Sequence, residues 1–119
     1  MADTQLVTGN AAADGGPFRG WLIGHFIPPS FNLRSTEHVE VKWGVHSAGD
    51  VRDDWGANDA TTLSVLVRGC IRFEFDNGQA TVLEEVGDYV LWPAGVAHRW
   101  YVEREGTVVL SVRWPSVPQ

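Results

Sequence analysis

What most constrains this chain is a succession of short β-patterned segments cut by Gly, Pro, Asn and Asp, with no segment of helical period among them. Residues 39–46 alternate, with Val39, Val41, Trp43 and Val45 on one face and Glu40, Lys42, Gly44 and His46 on the other. Residues 70–75 alternate again, setting Ile71, Phe73 and Phe75 against Arg72 and Glu74. Between them and the next segment, Asp76-Asn77-Gly78 is a strong hairpin signal, and it predicts a type I′ turn with positive φ at both central residues. Residues 20–27, 61–67, 79–83, 89–92, 97–102 and 107–112 bring the expected total to about eight strands. The connections are too short for the crossovers that parallel pairing requires, so the sheets are antiparallel. Eight such strands in this length suit an all-β jelly roll. The stretch holding Asp53, Asp54, Asn58 and Asp59 reads as a solvated acidic loop.

A chain of 119 residues makes one domain, large enough to bury roughly 65% of its unfolded surface. Residues 1–17, rich in Ala, Gly, Asp, Thr and Asn, read as a flexible arm, and residues 18–119 as a single barrel domain. A single cysteine, Cys70, excludes an internal disulfide and fits a reducing compartment. Residues 1–16 carry neither a basic start nor an apolar run, so a cytoplasmic protein is expected, with no membrane partner. The net charge is −6, Lys42 is the sole lysine and the arginines are scattered, which excludes the electrostatic footprint of a nucleic-acid binder. Six Trp and five Phe supply apolar area for a core, a pocket wall or a subunit contact. A homodimer is expected, with the strand at 20–27 as its contact.

One stretch carries more than pattern. Gly87, five residues, Pro93, one residue, Gly95, two residues and His98 form a strand, a tight corner and the start of a second strand. This spacing resembles the second motif of the cupin superfamily, and the likeness extends over roughly residues 39–113. The resemblance implies a double-stranded β-helix, a small cup with His98 pointing into it, and in most members a metal held by three His and a carboxylate. The first motif is degraded here. Its Glu falls on Thr62, and its His pair falls on Trp55 and Ala57 or, with the shorter spacing, on Gly56 and Asn58. Of the usual ligand set only His98 remains. The chain also resembles small single-domain bacterial cupins of unassigned function, through Trp21, Gly24, His25 and Phe26, the run from Glu40 to His46, Trp55, and Val112 to Pro115.

One histidine cannot hold a transition metal, which needs three or more converging donors. No metal site is therefore assigned, and His98 is the anchor if a divalent metal is bound after all. His46 lies too early in the chain to replace the missing pair, while Asp53, Asp54, Asn58 and Asp59 are the nearest oxygen donors. Without metal, the expected interior holds His98 and Trp100, with Thr62, Ser64 and Leu66 across from them. Trp43, Trp55 and Trp92 wall the mouth, and Arg72 or Arg52, if inward, holds a carboxylate or phosphate. Tyr101 points away from His98. The expected function is binding of a small organic molecule in a Trp-lined pocket by Trp43, Trp55, Ser64, Arg72, Trp92, His98 and Trp100. The alternative is a small-molecule enzyme, isomerase- or epimerase-like or a metal-dependent oxygenase, with His98 as its acid or base.

Overall fold

Period-two alternation and left-handed glycines turn this sequence into two antiparallel sheets that face each other. A computed structural model describes residues 6–116; the first five residues of the expected arm and the last three of the domain lie outside them. The described strands are β1 (Trp21–Ile23), β2 (Glu40–His46), β3 (Val51–Gly56), β4 (Thr61–Arg68), β5 (Ile71–Phe75), β6 (Ala80–Leu83), β7 (Tyr89–Trp92), β8 (His98–Val102) and β9 (Thr107–Trp114). A one-turn helix, Ala11–Gly15, and a 3₁₀ segment, Pro29–Arg34, flank β1. One sheet runs β1-β2-β9-β4-β7 and the other β3-β8-β5-β6. The two sheets share no strand ladder, so the jelly roll is an open sandwich rather than a closed barrel.

The hairpin between β5 and β6 falls where the turn signal put it, but with different geometry. Only Gly78, at φ +88°, is left-handed, and the loop is the three-residue kind rather than type I′. The corner ahead of β8 is tied down through Gly95, whose N–H donates to the Asn58 carbonyl. Between β4 and β5, Gly69 takes φ +98° and lies so close to Thr107 that any Cβ would collide with it.

Register decides what each face carries. On the inner face of the five-stranded sheet, Glu40, Arg113, Thr62 and Trp92 form one cross-strand row. Lys42, Ser111, Ser64 and Val90 form the next, and Gly44, Val109 and Leu66 the third. On the other sheet, Arg52, Trp100 and Phe73 are neighbours, as are Gly56, His98 and Phe75. The apolar members pack into one core of Leu66, Ile71, Phe73, Phe75, Leu83, Trp92, Val102 and Val109. Burying eight such side chains at about 1.5–3 kcal/mol each is the main force holding the sheets together. The polar members gather around a cavity beside that core.

Candidate functional site

The cavity between the sheets, about 140 Å³, is a cup lined from both sides. Strand β2 contributes Lys42, Gly44 and His46; β9 contributes Ser111 and Arg113; β4 contributes Thr62 and Ser64. Trp92 of β7, His98 and Trp100 of β8, and Arg52 of β3 complete its polar and aromatic wall, with Ile71, Phe73 and Val109 behind them. Three cations thus converge on a small cavity in a chain whose net charge is −6.

Each cation is positioned by something specific. The Arg113 guanidinium stacks on Trp21, 4.8 Å from its ring centroid, and its Nη1 lies 3.4 Å from Glu40 Oε2. Glu40 is itself buried, and its other oxygen accepts from Ser116 Oγ at 3.1 Å. Lys42 Nζ shares the same indole at 5.5 Å and has no carboxylate partner among the described residues. Arg52 folds over Gly56, where any Cβ would strike its guanidinium; its nearest carboxylate is Asp54, exposed and 4.0 Å away. An ion pair that open to solvent contributes little.

Among the described residues four buried side-chain polar atoms lack a hydrogen-bond partner, and three of them belong to the cup: Thr62 Oγ1, His98 Nδ1 and Arg113 Nε. Buried polar groups are normally paired, so such a convergence marks a place where solvent or a ligand supplies the partners. His98 is 4% exposed, with its ring 4.7 Å from that of Trp92. Burial is the largest cause and holds its pKa below the usual 6.5; the Val96 carbonyl pulls the other way, and Arg52 and then Arg113 add smaller pushes downward. His46, its ring 5.0 Å from that of Trp100, is lowered by burial and then by Lys42, with Asp50 opposing. Lys42 is lowered by burial first and then by Arg113 and Arg52. The cup therefore presents fixed guanidinium charge beside neutral imidazoles at pH 7.

Of the residues singled out in the sequence, Ser64, Trp92, His98 and Trp100 come together in the cup, along with Thr62. Leu66 sits deeper, in the core. Trp43, Trp55 and Arg72 do not join them. Trp43 lies on the opposite face of β2 from Lys42, Trp55 is 45% exposed with Arg99 stacked 4.3 Å from its ring, and Arg72 lies over Tyr101 and pairs with Glu74 at 3.4 Å. Tyr101 thus faces away from His98, as parity requires. His46 also lines the cup, because the inner face of β2 is the Glu40, Lys42, Gly44, His46 face. Of the acidic stretch expected as a loop, Asn58 and Asp59 do lie in one, but Asp53 and Asp54 fall on β3, which puts Arg52 inward; none of the four lines the cup. Lys42, His46, Ser111 and Arg113 were the residues overlooked. The even positions of residues 40–46 and the odd positions of 109–113 carry the signal, readable once the register of β2 against β9 is known.

Does this donor set fit the metal usual to such a cup? Two imidazoles and three hydroxyls face the cavity together with three cations, and Glu40 is already committed to Arg113 and Ser116. Gly56 and Thr62 stand where the resemblance puts ligands, and Arg52 fills the space over Gly56. No group of three or more His, Cys, Asp or Glu able to hold a metal occurs among the described residues. A divalent cation would meet like charge and too few donors, so the residues do not fit one. A larger groove of about 550 Å³, lined by Leu6, Val7, Leu33 and Arg34 among others, offers less chemistry. Arg34 there already donates to the Leu22 and Asp14 carbonyls.

No protein-family model matches the chain, and no curated protein matches it. Solved structures do. KdgF from Halomonas sp. superposes with a TM-score of 0.61 at 17% identity, over 67% of this chain and 72% of that one. An RmlC-like cupin family protein with a double-stranded β-helix fold from Methanocaldococcus jannaschii gives 0.60 at 16% identity, over 68% and 73%. Oxalate decarboxylase from Bacillus subtilis, a protein with Mn(II) centres, gives 0.60 at 18% identity over 73% of this chain, which spans only 24% of that larger one. At such identities the likeness establishes the fold alone.

Proposed function

We propose, from the premise that this chain adopts the cupin fold, that its cup binds a small organic anion, a carboxylate of about six to eight non-hydrogen atoms. The observation that carries this reading is the convergence of Lys42, Arg52 and Arg113 on one cavity that also holds three unpartnered polar atoms. A guanidinium pair holds a carboxylate by charge-assisted hydrogen bonds. Arg113 Nε and Thr62 Oγ1 offer donors, and His98, as a neutral imidazole, either donates or accepts. Trp92 and Trp100 supply apolar walls for the rest of the molecule. Size limits the occupant: a cavity near 150 Å³ accommodates a molecule about as large as benzene. The name of one structural neighbour, oxalate decarboxylase, associates that protein with a small dicarboxylate, which fits the same class.

A thermal-shift panel tests this. Butyrate, malonate and pyruvate should each raise the melting temperature, by the equivalent of ~2.7 kcal/mol at a hundred times the dissociation constant. Neutral molecules of matched size should not. A panel in which no carboxylate stabilises the protein removes the reading.

A further inference from the structure

We propose that Lys42 is a nucleophile, condensing with the carbonyl of a small 2-oxo acid held in the cup to form an imine. This rests on the anion-site reading and adds a covalent step to it. Lys42 is the only lysine of the chain, and the register of β2 against β9 and β4 sets it on the inner face in one row with Ser111 and Ser64. It has no carboxylate partner among the described residues, and the charges around it are two guanidiniums, Arg113 and Arg52. A lysine kept only for its charge would be better placed against a carboxylate. One that is half-buried beside other cations gives up its proton more readily, which is how an amine becomes a nucleophile near neutral pH.

The geometry also selects the substrate class. Lys42 lines the same small cavity as Arg113 and Arg52, so a carboxylate held on the two guanidiniums would bring the atom next to it within that cavity, and in a 2-oxo acid that atom is the electrophilic carbon. The neutral amine attacks this carbon; a C–N bond forms and the carbonyl π pair moves to oxygen, which takes a proton to give a carbinolamine. Nitrogen then loses its extra proton and the hydroxyl leaves as water after protonation, so amine plus oxo acid gives imine plus one water. Two imidazoles line the cup to carry these protons, His98 and His46, both held neutral.

With a single lysine in the chain, peptide mapping separates an adduct on Lys42 from one on the N-terminal amine. The intact protein is incubated with pyruvate and sodium cyanoborohydride, which reduces an imine to a stable secondary amine, and the product is read by intact mass and peptide mapping. Pyruvate binding and lactate binding are measured in parallel by thermal shift. The expected result is one reduced pyruvate adduct per chain on Lys42, formed at least about tenfold faster than on Nα-acetyl-lysine at the same pH. It should be absent with lactate and with Lys42→Arg, and slowed by Arg113→Gln. If pyruvate and lactate both stabilise the protein while Lys42 stays unmodified, or is modified no faster than the free amino acid, the imine is overturned and the anion site stands. An adduct confined to the N-terminal amine has the same meaning. If neither acid stabilises the protein and no adduct forms, both readings fall.

Discussion

At the scale of single residues, the chemistry of the cup comes from what burial does to ordinary side chains. His46 and His98 sit among cations and aromatic rings, and burial is the larger cause of the fall in their basicity. The unfolded chain binds protons near the usual value of 6.5, whereas the folded chain resists them until lower pH. Folding stability is therefore full above 6.5, falls as the pH drops through that value, and levels off once the folded-state rings also protonate. Urea unfolding at about pH 7.5 and about pH 5.5 should show this as a lower midpoint in acid, with the slope of the transition unchanged. Replacing both rings, His46→Gln with His98→Gln, should flatten the difference; an unchanged pH dependence in that variant would mean the two histidines are solvated. His98 was legible in the sequence because a proline–glycine corner announces it. Lys42 and Arg113 were not, because a lone charged residue on a strand looks the same whether it faces solvent or a cavity.

Secondary-structure elements were legible where a strand has one apolar face. Strands β4 and β5 alternate cleanly and fold where the pattern put them. Strand β3 does not alternate. It is an edge strand, largely exposed, with Asp53 and Asp54 on it, and charge on an edge discourages unwanted pairing while erasing the hydrophobic signal. Strand β2 misled in another way. Its apolar positions, Val41, Trp43 and Val45, lie on the outer face, and its polar positions face the cup. The usual rule that apolar residues point inward fails there because the interior at that end is a binding cavity rather than core. One element-level consequence is open to test. Gly56 leaves the space that Arg52 occupies, so Gly56→Ala should push the guanidinium out of the cup. Because Arg52 sits on an exposed edge, the melting temperature should change little while affinity for a small carboxylate falls about tenfold, or ~1.4 kcal/mol. Unaltered affinity would show that Arg52 does not reach the ligand.

Across the whole molecule, polarity is arranged against the usual grain. The five-stranded sheet turns Val41, Val112, Leu63 and Leu91 outward in one row and Trp43, Leu110, Val65 and Tyr89 in the next. Leu91 and Tyr89 are 53% and 64% exposed. These side chains give the sheet an apolar outer face. The acidic exterior and the cationic cup are likewise opposed, which leaves the cup as a local sink for negative charge. Fold class could be read from turn spacing alone, whereas this inversion depends on strand register and on which sheet covers which, information that a single sequence does not hold. Calorimetric titration of pyruvate against its neutral amide, in the wild-type protein and in the Arg52→Gln, Arg113→Gln double variant, tests the anionic cup most directly. The account predicts one molecule of pyruvate per chain, no detectable binding of the amide, and at least about a tenfold loss in the double variant. Equal binding of acid and amide, or full affinity without the two guanidiniums, would contradict it.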